Sequence, residues 1–95
     1  MAAAARLSVL VPVYNEVGTV RTLLERVRAV PLPKEVIVVD DCSTDGTDTV
    51  LEEFRAATPE TPDFRLLVLH HDRNRGKGAA VRTAIGKMTG DITVE

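Results

Sequence analysis

The sequence predicts an α/β fold with a Rossmann-like, doubly wound parallel sheet. Short apolar runs rich in β-branched residues occupy residues 7–13, 35–40, 65–69 and 91–94, as expected of strands buried on both faces. In the segments between them, apolar residues recur three and four positions apart, which is the spacing of one helix face. Strands and helices therefore alternate, and this alternation favours parallel strands joined by right-handed crossovers. The doubly wound pattern predicts the spatial order 3-2-1-4.

Length and composition indicate one small folded domain and exclude several classes of protein. The chain has 95 residues, 44% of them hydrophobic, and a net charge of −2, whereas nucleic-acid binders normally carry a basic excess. Its single cysteine, Cys42, excludes an internal disulfide and a multi-cysteine zinc site. The sequence has neither an apolar run of about 18 residues nor the pattern of a signal peptide. We therefore expect a soluble, cytoplasmic chain that binds no nucleic acid.

Each predicted helix has one apolar face. The three faces consist of Val17, Val20, Leu24 and Val27; of Val50 or Leu51, Phe54 and Ala57; and of Val81, Ala84 or Ile85, and Met88. Ser43, Thr44 and Asp45 are candidate N-caps of the second helix, and Gly90 is predicted to end the third.

Tyr14, Asn15 and Glu16 directly follow the first predicted strand. Ligands of open α/β sheets bind beyond the carboxyl ends of the strands, so binding residues are expected at this position. A tyrosine ring can stack on a base while a carboxylate holds a ribose hydroxyl. Alternatively, Tyr14 packs at the rim of the sheet and Asn15 or Glu16 caps the next helix. The local pattern leaves both interpretations open.

Two adjacent carboxylates, Asp40 and Asp41, end the second predicted strand. Because such groups repel each other, a fold retains them where donors, cations or solvent compensate. A carboxylate only accepts hydrogen bonds, so the pair suits a base N–H or a ribose hydroxyl, and we favour a functional role over a turn role. Cys42 is expected to be a small turn residue, since its acidic neighbours disfavour a reactive thiolate.

Residues 70–78 follow the third predicted strand and read His-His-Asp-Arg-Asn-Arg-Gly-Lys-Gly. Glycines allow a ligand to approach the backbone, and basic residues beside a helix N-terminus attract phosphate, although the Walker spacing is absent. The alternative is a solvated basic turn. His70 and His71 lack the spacing of a metal site, so we expect ordinary surface roles for them.

Residues 40–63 hold eight acids and one arginine, whereas residues 65–87 hold six basic residues, and this asymmetry also indicates a ligand site.

Together these segments resemble the N-terminal part of a family 2 glycosyltransferase. The resemblance rests on Val-Leu-Val-Pro-Val-Tyr-Asn-Glu at residues 9–16, Val-Val-Asp-Asp at residues 38–41 with Asp-Gly-Thr at residues 45–47, Asn-Arg-Gly-Lys-Gly at residues 74–78 and Gly-Asp at residues 90–91. Within the family the chain is most similar to polyprenyl- (dolichyl-) phosphate mannosyl- and glucosyltransferases. Cys42 stands where the family usually has glycine, a departure that we expect to matter little.

The resemblance implies a GT-A fold that binds a nucleotide sugar, GDP-mannose or UDP-glucose, and transfers the hexose with inversion to a polyprenyl phosphate. Asp41 is implied to accept a hydrogen bond from the base and Asp40 to be structural, while Gly76 and Gly78 border the donor site. The residues carried over as nucleotide-sugar ligands are Pro12, Tyr14, Glu16, Val39, Asp41 and Lys77.

The resemblance also implies that part of the catalytic machinery lies outside this chain. In the family, the strand that corresponds to residues 91–94 leads into an Asp-x-Asp segment that binds Mg²⁺ or Mn²⁺ and the diphosphate, and this sequence reaches Glu95 without one. We therefore expect residues 1–95 to be the nucleotide-sugar-binding part of a longer catalytic domain, to contain no catalytic residue, and to be inactive alone. The longer protein is expected at the cytoplasmic face of a membrane, with membrane contacts outside this chain.

Four alternatives were considered. The acceptor could be a polysaccharide or cell-wall glycan, or the chain could be a nucleotide-binding module without transferase activity. A dinucleotide-binding Rossmann enzyme is disfavoured because Gly-x-Gly-x-x-Gly is absent after the first strand. A phosphoacceptor signalling domain, which would have its acidic pair after the first strand, is disfavoured for a similar reason, since that strand ends in Tyr-Asn-Glu.

Overall fold

A computed structural model describes residues 7–89 and 91–94 as strands alternating with helices. The elements are β1 (Leu7–Val13), α1 (Val20–Ala29), β2 (Lys34–Asp40), α2 (Thr47–Ala56), β3 (Phe64–His70), α3 (Lys77–Ile85) and β4 (Asp91–Val94). The four strands form one sheet in the order β3-β2-β1-β4, with every neighbouring pair parallel, as the doubly wound pattern predicts.

The two faces of the sheet bury two separate hydrophobic clusters, because alternate residues of a strand point to opposite faces. On one face, α1 and α2 cover valines of β1 and β2 with larger side chains, among them Leu24, Leu51 and Phe54. On the other face, Ala80 and Ala84 of α3 pack against the sheet. Their small side chains allow this helix to approach the strands closely. The strand residues of this second cluster are Leu10, Ile37 and Val39.

The helices are shorter than the apolar spacing predicts. The first begins at Val20, and Val17 lies in the preceding turn with 42% of its surface exposed. The second ends at Ala56, which leaves Ala57 exposed after it. The third ends at Ile85, which is 43% exposed. The predicted end of this helix at Gly90 lies outside the described residues.

The start of α2 differs from the prediction in a similar way. Its N-cap is Gly46, whose positive φ of 97° suits glycine, rather than one of the three polar residues before it. Asp45 nevertheless stabilises the start of α2, because its Oδ1 accepts a hydrogen bond from the backbone N–H of Thr47 over 3.0 Å. The carboxylate therefore satisfies one of the backbone donors that have no partner within the helix.

The carboxyl ends of β1, β2 and β3 lie level with one another. Val13 pairs with Asp40, and Asp40 pairs with His70. The ladder continues one residue further, since the N–H of Asp41 donates to the carbonyl of Val13 and the N–H of His71 donates to that of Asp40, both over 2.8 Å. The backbone therefore fixes Asp41 and His71 side by side at one edge of the sheet.

Buried charges at the opposite end of the sheet have structural partners. The Lys34 ammonium donates to the carbonyl of Val30 over 2.6 Å and lies 5.5 Å from the centre of the Phe64 ring. Burial, the largest influence, lowers the pKa of this lysine. Glu35 accepts hydrogen bonds from the hydroxyls of Ser8 and Thr89. These contacts tie the beginnings of the strands together, far along the sheet from its carboxyl edge.

Candidate functional site

A cavity of about 400 Å³ opens at the carboxyl edge, between the loop after β1 and the start of α3. Its volume is within the range of small-molecule sites, which lie at this edge in open α/β sheets. Five of the six residues that the resemblance carries over as nucleotide-sugar ligands line this cavity. The complete lining is Pro12, Val13, Tyr14, Glu16, Asp41, Asn74, Gly76, Lys77 and Ala80.

The structure does not bring Val39, the sixth residue, to the cavity. Its side chain is fully buried in the cluster under α3, beside Leu10 and Ile37. Strand alternation explains this placement, because Val39 shares a sheet face with Ile37, two positions earlier. The side chain of Val39 therefore packs in the core, and the expected contact of this residue with the base and ribose region stays a prediction.

The loop that carries Tyr14 is held by the loop after β2. The N–H of Asn15 donates to Ser43 Oγ over 2.9 Å, and Asn15 Oδ1 accepts from the N–H of Thr44 over 2.8 Å. Asn15 has a φ of 52°, a left-handed conformation that asparagine tolerates better than most residues. Tyr14 itself is 47% exposed and lines the cavity, so part of its surface is open to a ligand.

Glu16 lies both at the cavity and at the start of α1. It lines the cavity, and its Oε2 accepts a hydrogen bond from the Thr19 hydroxyl over 2.8 Å at the start of α1. Its backbone N–H donates to Thr47 Oγ1 over 2.9 Å, which ties the loop to α2. The position of this carboxylate is thus set from two helices.

Asp41 is a buried carboxylate at the wall of the cavity. Its Oδ1 accepts hydrogen bonds from His71 Nδ1 and from the backbone N–H of Arg75, and its Oδ2 accepts one from the N–H of Gly76, each over 2.8 Å. Burial, the largest single influence, raises its pKa, but these hydrogen bonds together outweigh burial and leave the pKa lowered. Asp41 therefore stays ionised next to the cavity.

Asp40 belongs to the opposite side of the sheet edge. Its Oδ1 accepts from the N–H of Ser43 over 3.0 Å, and its Oδ2 lies 3.1 Å from His70 Nδ1. The other nitrogen of His70 lies 2.8 Å from Glu52 Oε2 on α2. Because neighbouring side chains of an extended backbone point in opposite directions, the two aspartates face different cavities, and their mutual repulsion is reduced. The cavity on the Asp40 side has a volume of about 610 Å³ and is lined mainly by α2 and the two histidines.

The start of α3 is the basic side of the first cavity. Lys77 is the first residue of the helix and lines the cavity. Gly76 precedes it with φ 89° and ψ 161°, a conformation open almost only to glycine. The free N–H groups of a first helical turn and a lysine side chain both favour an anion. The cavity therefore has a cationic end at Lys77 and an anionic wall at Asp41.

His71 is the functional candidate that sequence reasoning missed. The expectation of a surface role is wrong for this residue, because its side chain is only 7% exposed and contacts Asp41. The available signal was its position directly after a strand, at the edge where site residues gather. Its neighbour His70 is 36% exposed, which is closer to the expected surface position.

The described residues do not provide a site for the metal ion that the family resemblance implies. Within residues 7–89 and 91–94, no three His, Cys, Asp or Glu side chains are grouped so that they could hold a cation. In the same part of the chain, no helix is both long and apolar enough to cross a membrane.

The chain belongs to glycosyl transferase family 2, whose model matches residues 8–94. It is 32% identical over 93 residues to an undecaprenyl-phosphate 4-deoxy-4-formamido-L-arabinose transferase of Serratia proteamaculans, and 29% identical to the protein of that name from Yersinia enterocolitica. Each match covers 94% of this chain and 27% of the relative. The chain thus spans about a quarter of the length of these curated relatives.

Solved structures of similar fold are glycosyltransferases with the GT-A fold, which bears out the fold predicted from the sequence. The mannosyltransferase PcManGT from Pyrobaculum calidifontis, solved with GDP-Man and Mn²⁺, has a TM-score of 0.80 and 32% identity over 97% of this chain and 28% of its own. TarS residues 1–349 from S. aureus, solved with UDP, has a TM-score of 0.78 and 30% identity over 95% of this chain and 26% of its own.

Proposed function

We propose that the cavity between Tyr14 and Lys77 binds the nucleoside diphosphate part of a nucleotide sugar. In this proposal the chain is the N-terminal, donor-binding part of a glycosyltransferase catalytic domain. The observation that carries it is the convergence of an exposed aromatic ring, an ionised carboxylate and a lysine at a helix start on one cavity. These groups match the base, its ring N–H and the phosphates of such a ligand.

The proposed contacts follow from the chemistry of each group. The exposed ring of Tyr14 offers a face for stacking on the base. Asp41 has acceptor capacity beyond the three hydrogen bonds that it receives, since a carboxylate offers about four lone-pair positions. Glu16 is placed to accept from ribose hydroxyls, and Lys77 with the first turn of α3 neutralises part of the phosphate charge.

The complete enzyme is proposed to transfer a hexose from GDP-mannose or UDP-glucose to a polyprenyl phosphate with inversion. The relatives named for undecaprenyl phosphate and the neighbours solved with GDP-Man or UDP support this choice of substrates. A phosphate acceptor is anionic near neutral pH, so the reaction needs no strong general base. A lipid acceptor supports our proposal that the complete enzyme works at the cytoplasmic face of a membrane, with its membrane contacts outside this chain.

The leaving nucleoside diphosphate must be neutralised, and a divalent metal ion, Mg²⁺ or Mn²⁺, supplies this assistance when bound. The Mn²⁺ in the PcManGT complex supports this part of the proposal. We place the metal ligands outside this chain. The residues described here bind and orient the nucleotide: Tyr14 and Asp41 fix the base, and Lys77 draws the phosphates to the start of α3.

The test is calorimetric titration of GDP, UDP and ADP into the protein and two variants. Tyr14→Ala removes the stacking surface and Lys77→Ala the cation, and each is expected to weaken binding of the preferred nucleotide roughly tenfold. Lys87→Ala is the matched control, since Lys87 is an exposed lysine beyond the other end of α3 and is expected to leave the affinity unchanged. A folded protein that binds neither GDP nor UDP, or equal affinities for all variants, would refute the proposal.

A further inference from the structure

The imidazole of His71 connects Asp41 to the middle of α3. It does not line the nucleotide cavity, but its Nδ1 lies 2.8 Å from Asp41 Oδ1. Its Nε2 lies 2.9 Å from the hydroxyl of Thr83, on the second turn of the helix. Thr83 Oγ1 in turn lies 3.0 Å from the carbonyl oxygen of Ala79. Hydrogen-bond contacts therefore lead from the cavity wall through the imidazole and Thr83 to the backbone of α3.

Hydrogen-bonding capacity fixes the proton on Nδ1 of His71. A carboxylate can only accept, so the ring nitrogen that faces Asp41 must be the donor. The single hydroxyl proton of Thr83 goes either to Nε2 or to the carbonyl of Ala79, and in both arrangements Nδ1 remains the donor to Asp41. The imidazole thus presents one defined N–H to the carboxylate.

Three donors hold Asp41, and they differ in how firmly they are themselves held. The N–H groups of Arg75 and Gly76 belong to the exposed loop before α3. The side chain of His71 is only 7% exposed, its backbone N–H donates to the carbonyl of Asp40, and its ring contacts Thr83. His71 is therefore the donor whose position is set by the sheet and α3 together.

We infer that His71 is a positioning residue for nucleotide binding: it holds the Asp41 carboxylate in the orientation presented to the cavity, with Thr83 as its support on α3. This inference rests on the proposed function, because it requires the cavity to bind a nucleotide through Asp41. His71 does not line the cavity, so its replacement would change the affinity for the nucleotide without removing a contact to it. Through Thr83 and His71, the position of α3 also affects the Asp41 carboxylate that faces the base.

The test compares three replacements of His71 by titration with GDP and UDP. His71→Asn keeps an N–H donor close to the position of Nδ1, His71→Gln carries its donor further out, toward Thr83, and His71→Ala keeps neither. The dissociation constant is expected to rise about tenfold in the Ala and Gln variants and to stay within about twofold in the Asn variant. His70→Ala is the matched control and is expected to bind as the parent protein does, because His70 faces Asp40 and Glu52 instead.

The outcomes distinguish failure of the inference from failure of the proposed function. Unchanged affinity in all His71 variants, with weakened binding in Asp41→Asn, would overturn the inference and leave the proposed function standing. If the parent protein binds no nucleotide, the proposed function fails and the inference fails with it. If the parent protein binds nucleotide, a crystal structure of His71→Ala tests the positioning role directly. A carboxylate of Asp41 that keeps its orientation in that structure overturns the inference, and a rotated carboxylate supports it. If the Ala variant does not fold, the difference between the Asn and Gln variants serves the same purpose.

Discussion

The backbone N–H of Gly76 donates a hydrogen bond to Oδ2 of Asp41 over 2.8 Å, although the two residues are 35 positions apart in the sequence. This contact closes the loop before α3 onto the end of β2. It requires the unusual backbone of Gly76, whose φ is 89°. The carboxylate that faces the cavity therefore also shapes the loop that forms the other side of that cavity.

Gly76→Ala is expected to destabilise the protein by about 1–3 kcal/mol, because an alanine at this φ and ψ is strained. A Cβ at this position would meet no atom within 4 Å, so the loss would come from the backbone and not from a clash. Gly18→Ala is the matched control. That position is equally open and has no positive φ, so its free energy of unfolding should stay the same or rise slightly. Urea denaturation measures both, and equal effects would contradict the assignment of strain.

Asp40→Asn and Asp41→Asn are both expected to lower the free energy of unfolding by roughly 1–3 kcal/mol, since each places an amide among donors that a carboxylate satisfies. Only Asp41→Asn should also weaken GDP or UDP binding, because only Asp41 lines the nucleotide cavity. Thermal unfolding and calorimetric titration of both variants separate the two effects. A comparable loss of affinity in Asp40→Asn would show that the two carboxylates do not have separate roles.

Cys42→Gly is expected to stabilise the protein by about 0.5–1 kcal/mol. Cys42 has a φ of 64°. This left-handed conformation costs a residue with a Cβ about 1–2 kcal/mol, and glycine avoids that cost. The greater conformational entropy of glycine in the unfolded chain partly offsets the resulting gain in stability. Cys42→Ala retains the Cβ and is expected to show no such gain. Denaturant titration of the two variants tests this, and a gain in the alanine variant would point to the thiol as the source.

The ion cluster of Asp40, His70 and Glu52 is expected to make stability depend on pH. Burial, the largest influence, lowers the pKa of His70, but its hydrogen bonds to Glu52 and Asp40 outweigh burial and leave this pKa raised. A histidine with a raised pKa contributes stability that is fully present below its unfolded pKa of about 6.5 and is lost as pH rises through the folded pKa. The stability difference between the parent protein and His70→Gln should therefore be larger at about pH 5.5 than at about pH 8.5. Denaturation at the two pH values measures it, and a difference that grows with pH would contradict the sign.

The 95-residue chain is expected to bind nucleotide without transferring sugar, because its described residues group no three metal ligands. Loss of metal assistance removes several kcal/mol of transition-state stabilisation, and each 1.36 kcal/mol is a factor of ten in rate. The assay combines the chain with Mg²⁺ or Mn²⁺, GDP-mannose or UDP-glucose, and a polyprenyl phosphate. Sugar transfer to the lipid above a heat-denatured control would show that the chain itself contains the catalytic groups.

The sequence was sufficient to predict the α/β class and the gathering of polar residues at one edge of the sheet. Both follow from short-range periodicity and from the rule that parallel strands end at the same edge. Boundaries were less predictable: Val17 continues the apolar spacing of α1 but precedes the helix. Apolar spacing reports which residues could share a face, whereas hydrogen bonds and caps decide where a helix begins.

By itself, the sequence determined the alternation of strands and helices, the positions of Tyr14 and Asp41 directly after the first two strands, and that of Lys77 in the basic segment after the third. Only the tertiary structure decided the orientation of the side chains: Val39 is buried under α3, and His71 is drawn behind Asp41. The physical reason is that these orientations depend on strand register and on hydrogen bonds between residues 30 or more positions apart. Local spacing places a residue on an element, but the packing of that element against its neighbours decides what its side chain contacts.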